Sequence, residues 1–361
     1  MGRCRLANQL KRYGQDDTRR LRACSHGYAI QNAVWELMLS QFNISLGSLE
    51  AAWERIAPYV RHTPLLPLPS LRGDLPAQLG LKLENLQVTG SFKARGVFNT
   101  LLQLDLAQRE RGVVTASGGN HGAALAYGAW RLGIPATVFL PDRASEDRVA
   151  RIAAWGAQVV KHGRAWDDAH AKAVVYAADE GQAYVHPFDA ERTVEGQGTL
   201  GLELLDDVPD MDCVLIAIGG GGLIGGMAAA IKQRRPDVRI VGVEPTGAPT
   251  MLRSLEAGKV APLPAVRTIA DTLAPRSVCD RTLALTQRYV DEIALVEDGA
   301  MVAAMRWLWA ECNQLVEPAG AAVIAALQTG AVDVGRHNHP VALICGGNAA
   351  AEGVFVAYQE R

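Results

Sequence analysis

Four segments of this 361-residue chain combine glycine with side chains that can do chemistry. In the first, a polar turn from Glu84 through Gly90-Ser91-Phe92 runs into a helix whose first turn holds Lys93. A cation there faces the positive end of the helix dipole, which lowers an amine's pKa. A neutral amine is what a Schiff base or a general base requires. A solvated lysine is the bland alternative, and the segment by itself leaves both open. The second segment, Ser117-Gly118-Gly119-Asn120-His121-Gly122, follows a strand and opens a helix. Its free N–H groups make an anion site to which Ser117, Asn120 and His121 add side chains, although a histidine there is also a common helix-start residue. The third, Gly219-Gly220-Gly221-Gly222 before Leu223, lets backbone N–H groups approach a phosphate. The same stretch contains a G-x-G-x-x-G from Gly220 to Gly225, with Glu244 ending the next strand. Taken alone it points to a nicotinamide-dependent oxidoreductase. The fourth is Cys345-Gly346-Gly347-Asn348, where a buried strand ends in a thiol and a glycine turn.

These segments need elements to hold them. Short β-rich runs at 113–117, 136–140, 158–160, 213–218, 239–243 and 341–344 alternate with stretches of helical period at 121–132, 146–155, 166–179 and 298–312. Such alternation predicts an α/β protein with mostly parallel sheet, whose ligands bind outside the carboxyl ends of the strands. The first clean helix signal is Ser48 as N-cap ahead of Leu49-Glu50-Ala51.

Composition removes whole classes of function. With 49% apolar and 20% charged residues the chain is globular rather than disordered, and a net charge of -2 argues against electrostatic capture of nucleic acid. Val214 to Ile231 is 18 residues without a charge, but six are glycine, so it reads as strand, turn and helix rather than a membrane span. Six scattered cysteines, with no C-x-x-C, read as reduced thiols in a cytoplasmic protein. Residues 1–47 read as a poorly ordered N-terminal extension, basic in its first half. His337-Asn338-His339 reads as a solvated turn, and no metal site is expected.

In order, Asn85-Leu86-Gln87-x-Thr89-Gly90-Ser91-Phe92-Lys93, Ser117-Gly118-Gly119-Asn120-His121-Gly122, the tetraglycine loop, Glu317-Pro318 and Cys345-Gly346-Gly347-Asn348 resemble the threonine/serine dehydratase and serine racemase family. The likeness runs from about residue 48 to 361. It implies a two-domain tryptophan-synthase-β-like α/β fold with pyridoxal 5'-phosphate as cofactor. The large domain would be 48–111 with 188–361 and the small domain 112–187. It also implies roles. Lys93 would carry the cofactor and act as base on the substrate α-carbon, and Phe92 would pack on the pyridine ring. Asn120 would hydrogen-bond the phenolic oxygen, and Cys345 would stand beside the pyridine nitrogen. Gly219, Gly220, Gly221, Gly222 and Leu223 would cradle the phosphate, which displaces the dinucleotide reading. Ser117, Asn120 and His121 would grip the substrate carboxylate.

Two departures refine the expectation. Racemases of the family place a serine two residues before the motif asparagine, where this chain has Gly118. The cation site of many relatives pairs a strand-end glutamate with an aspartate six residues on, where Thr250 follows Glu244. The expectation is a homodimeric ammonia-lyase acting on a small β-hydroxy-α-amino acid, with no nucleic-acid or membrane partner. An amino-acid racemase, a β-replacement synthase and a catalytically idle amino-acid-binding protein are the rivals.

Overall fold

The computed structural model describes residues 41–67, 75–76 and 78–348, and from Asn43 onward these belong to one compact unit. The expected extension lies outside the described residues up to position 40. Its last residues do not: Ile44 is buried and α1 (Leu46–Ile56) already begins within the proposed extension. The cap of α1 is Ser45, whose Oγ accepts from Ser48 N at 3.0 Å, three residues earlier than the expected Ser48. Burial of Ile44 and Leu49 against a later helix accompanies this earlier start.

Next come β1 (Leu65–Pro67), β2 (Gly80–Leu83), α2 (Lys93–Leu101), α3 (Leu106–Arg111), β3 (Val113–Ala116), α4 (Asn120–Leu132) and β4 (Ala136–Leu140). The chain continues through α5 (Glu146–Ala153), β5 (Gln158–Lys161), α6 (Trp166–Asp179), β6 (Ala183–Tyr184), α7 (Glu191–Asp207) and β7 (Cys213–Ala217). It closes with α8 (Gly222–Arg234), β8 (Arg239–Pro245), α9 (Thr250–Ala257), α10 (Asp280–Tyr289), β9 (Glu292–Val296), α11 (Asp298–Cys312), α12 (Pro318–Gln328) and β10 (Pro340–Ile344).

Two sheets result. One has the order β1-β2-β10-β7-β8-β9, parallel except for the β1–β2 pair. The other, β5-β4-β3-β6, is wholly parallel. Their central strands β3, β7 and β10 are buried at every residue, as strands covered by helices on both faces must be. Edge strand β5 instead exposes Gln158 and Lys161.

The helix α7 has no counterpart in the sequence expectation, because three glycines and several polar residues blur its period. Those glycines are what its packing needs. A Cβ on Gly196 would lie 2.6 Å from the backbone of Arg95 and Gly96 in α2, and one on Gly198 would lie 2.9 Å from Gly226 O in α8. Three helices therefore meet backbone to backbone behind the strand ends that carry the chemistry.

Candidate active site

The carboxyl ends of β2, β3, β7 and β10 lead into the four glycine-bearing segments, so the strand-end expectation holds for all of them. Lys93 is the first residue of α2. Its Nζ donates to Pro187 O at 2.8 Å, and burial brings its pKa down to about 8 despite the opposing pull of the Glu317 carboxylate. The turn before it is stitched to the end of β10. Phe92 N donates to Cys345 O at 3.2 Å, Gly347 N donates to Gly90 O at 2.9 Å, and Ser91 bridges Gly346. Burial lifts the Cys345 thiol well above its usual range, so it is neutral.

Asn120 opens α4 and is buried. Its Nδ2 donates to Glu317 Oε1 at 2.6 Å and its Oδ1 accepts from Asn348 Nδ2 at 2.7 Å. Glu317, with 6% of its surface exposed, has its pKa raised to about 7 by that burial. His121 hydrogen-bonds Val185 O through Nε2 at 3.1 Å, while Nδ1 has no partner. Burial and the nearby Lys93 amine hold its pKa at about 3, so the ring is neutral. Since a carbonyl can only accept, the single ring proton sits on Nε2. The His121 ring therefore has no proton to give a carboxylate, and what it offers an anion is its backbone N–H in the first turn of α4. Ser117 is half-buried at the loop entrance, and its carbonyl lies 2.0 Å from where a Cβ on Gly122 would sit, which requires glycine there.

The tetraglycine loop joins β7 to α8. Gly221 has φ +86°, a conformation other residues rarely adopt, and a Cβ on it would lie 2.5 Å from Met251 Cε. Gly219 and Gly220 are equally hemmed in, by Thr272 O at 2.7 Å and by the Phe188 ring at 2.3 Å. Phe188 follows Pro187, so this loop and Lys93 face one another across two residues. Leu223 is buried in the first turn of α8.

The scan for known families matches the model of the pyridoxal-phosphate dependent enzymes over residues 56–346. The chain belongs to that family. It is 38% identical over 311 residues to the L-threonine ammonia-lyase of Geobacter sulfurreducens, covering 86% of this chain and 77% of that one. The phenylserine dehydratase of Ralstonia pickettii is 39% identical over 83% of this chain and 90% of its own. Among solved structures, maize serine racemase superimposes with a TM-score of 0.82 at 33% identity, covering 88% and 97% of the two chains.

The residues present fit the family's cofactor. A half-buried amine whose pKa is lowered to about 8, a glycine loop with no room for side chains, and the buried Ser91 Oγ, without a protein partner two residues before that amine, suit such a group. They do not fit the dinucleotide reading. Both Glu244 oxygens accept from the start of α9, from Met251 N at 2.8 Å and Leu252 N at 2.9 Å, and the side chain is fully buried rather than open to a ribose. The same bonds occupy the glutamate of the relatives' cation site, and Thr250 Oγ1 donates to Pro275 O. His62, Glu203 and Asp207 lie within metal-binding reach of one another, but the Lys82 ammonium already sits 2.6 Å from both carboxylates.

Sequence reasoning missed three contributors. Pro187 acts through its carbonyl, which no side-chain motif reveals. Glu317 and Asn348 stand in the quoted motifs without a role. The Glu317-Pro318 start of α12, with proline in the first turn, is the signal that marks Glu317 as a residue held at a helix end.

Proposed function

We propose that this protein is a lyase that removes water from a β-hydroxy-α-amino acid such as threonine or serine, releasing a 2-oxo acid and ammonia. The reading is carried by the half-buried Lys93 amine, its pKa lowered to about 8, set beside a carboxylate-binding loop whose second residue is Gly118. When bound, pyridoxal phosphate supplies the electron sink that acidifies the substrate's α-proton and allows the β-hydroxyl to leave.

The chain's own residues do the rest. Lys93 holds the cofactor and, once its amine is freed by substrate, takes the α-proton; positioned bases of this kind contribute about 100- to 10,000-fold. Phe92 packs against the cofactor ring, and Asn120 keeps an N–H for its phenolic oxygen. The N–H groups of Gly219 to Gly222, with Leu223, receive the phosphate. Ser117, Asn120 and the first-turn N–H groups of α4 hold the substrate carboxylate, with His121 acting through its N–H. Cys345, a neutral thiol, has no charge with which to hold a proton on the pyridine nitrogen. A cofactor held there would be a modest electron sink, which would favour loss of the β-hydroxyl, as water with the proton that Lys93 took, over lasting negative charge at the α-carbon. The enamine that leaves is hydrolysed by water to the 2-oxo acid and ammonia.

We read the four-stranded sheet, with residues 112–187, as a small domain closing on the remainder, and the molecule as a cytoplasmic homodimer. Among the described residues no helix is long and apolar enough to cross a membrane, and Cys213, Cys279, Cys312 and Cys345 are free thiols, as a reducing compartment favours. Light scattering of the purified protein tests the dimer.

The experiment for the activity is a panel of L-serine, L-threonine, 3-hydroxyaspartate and phenylserine scored for 2-oxo acid and ammonia. Lys93→Ala is run beside it, after borohydride reduction of the native protein. Cofactor should become fixed to Lys93 and the variant should lose turnover. Retention of trapped cofactor and normal turnover by Lys93→Ala would defeat the assignment.

A further inference from the structure

The two tips of an asparagine amide are alike in shape and opposite in polarity, so an asparagine that must donate needs its sense fixed by neighbours. Asn120 is fixed from both ends. Its Oδ1 accepts from Asn348 Nδ2 at 2.7 Å, and its Nδ2 donates to Glu317 Oε1 at 2.6 Å. Asn348 is in turn held by groups of single polarity. Arg151 Nη2, which can only donate, reaches Asn348 Oδ1 at 2.6 Å, and Thr89 O, which can only accept, takes the second Nδ2 proton at 2.8 Å.

The local backbone is shaped for this contact. Thr89 and Gly90 have φ of 65° and 76°, and a Cβ on Gly90 would lie 2.5 Å from Asn348 Oδ1. A threonine rarely adopts the left-handed region, and the conformation persists only where the surroundings over-determine it. Here it points the Thr89 carbonyl at Asn348. Reversal of either amide would set two donors or two acceptors against each other at both of its tips. The second Nδ2 proton of Asn120 is left for an anionic oxygen in the cleft.

We propose that Asn348 is a positioning residue that sets the sense of the Asn120 amide, with Arg151 of α5 holding the outer end of the chain and Glu317 the inner end. The inference rests on the reading of Asn120 as hydrogen-bond donor to the cofactor's phenolic oxygen. Without the Asn348 donor only Glu317 holds the sense of the Asn120 amide, which then presents Oδ1 to an anionic oxygen in part of the population.

The test uses the cofactor-loaded enzyme and reads its visible absorption spectrum, its cofactor dissociation constant and kcat against KM. Asn348→Asp keeps the shape, removes the donor and still pairs with Arg151, so it separates positioning from packing. It should shift the absorption in the same direction as Asn120→Ala, weaken cofactor binding about tenfold and lower kcat more than it raises KM. Adding Asn348→Ala to Asn120→Ala should change the spectrum no further, and Arg151→Ala, at the exposed end, should give a smaller shift of the same sign. A wild-type spectrum and affinity in Asn348→Asp, with Asn120→Ala altered, overturns the positioning role alone. Additive effects in the double variant overturn it too. An unaltered spectrum in Asn120→Ala overturns the reading of Asn120 beneath it. Should Asn348→Ala fail to fold, Asn348→Asp and Arg151→Ala decide the matter.

Discussion

Lys93 is placed where a structural cation is least welcome, half-buried at the first residue of a helix, with its Nζ on a backbone carbonyl. Burial dominates the outcome, and the amine titrates at about 8. Its neutral form is the nucleophile, so capture of pyridoxal phosphate by the cofactor-free protein should quicken as pH rises and level off above about 8. Stopped-flow absorbance across that range checks it; a rate independent of pH would mean that another group limits capture. At Gly118 the structure decides whether a side chain can be added. A Cβ there would meet only Leu140 Cδ2, at 3.4 Å, which is ordinary contact, and the position has no positive φ. The native enzyme should therefore leave unreacted substrate in the L form, and Gly118→Ser should fold and add measurable D-amino acid. Chiral chromatography of the residual substrate reads both outcomes. D-amino acid from the native protein at a rate near that of keto acid would show that another group or a water serves the opposite face.

Among the elements, the loop between β7 and α8 shows how far local sequence reaches. Four glycines after a buried strand predict a phosphate cradle, and the structure has there a tight turn into α8 with no room for side chains. They do not announce what surrounds it, because Met251, Thr272, Thr282 and Phe188 arrive from distant parts of the chain. Gly221→Val would drive Cβ to within 2.5 Å of Met251 Cε and 2.8 Å of Thr282 Cβ in a left-handed conformation. The strain alone is of order 1 to 3 kcal/mol, about 5- to 150-fold if it falls wholly on the cofactor-binding state. Equilibrium titration with pyridoxal phosphate should show at least that loss, and unchanged affinity would show that the loop binds something else. The helices α6 and α11 were legible to the residue, since long amphipathic runs state their own period. The helix α7 was not. Its glycines are poor helix formers and make sense only once α2 and α8 press against them.

For the molecule as a whole, the site stands on a buried charge cluster that joins β2, α2 and α7. Arg95 reaches Glu84 and Glu203, each at 2.7 Å, and Lys82 reaches Glu203 and Asp207, each at 2.6 Å. Thr63 O and Thr63 Oγ1 complete the shell. Arg95 lies two residues from Lys93, so the cluster anchors the helix that presents the reactive amine. Lys82→Met removes one cation and leaves the Glu203 carboxylate underpaired in a dry interior, which typically costs about 3 to 5 kcal/mol. An unfolding free energy from denaturant titration lowered by that amount, with cofactor affinity reduced alongside it, is the expected result. A stability change under 1 kcal/mol would show that water reaches the cluster.

The sequence by itself determined the reaction class and the parallel α/β plan, and it marked Lys93 and the two glycine loops as the candidate site. Strand-to-glycine-to-helix transitions are local, and the motif order is specific. Tertiary structure alone decided the protonation and orientation of the groups. The His121 ring is neutral with its one proton turned to Val185, Glu317 is desolvated, and Asn120 is caught between Glu317 and Asn348. Each of these depends on burial and on partners between 64 and 228 residues away, and no local pattern encodes such distances.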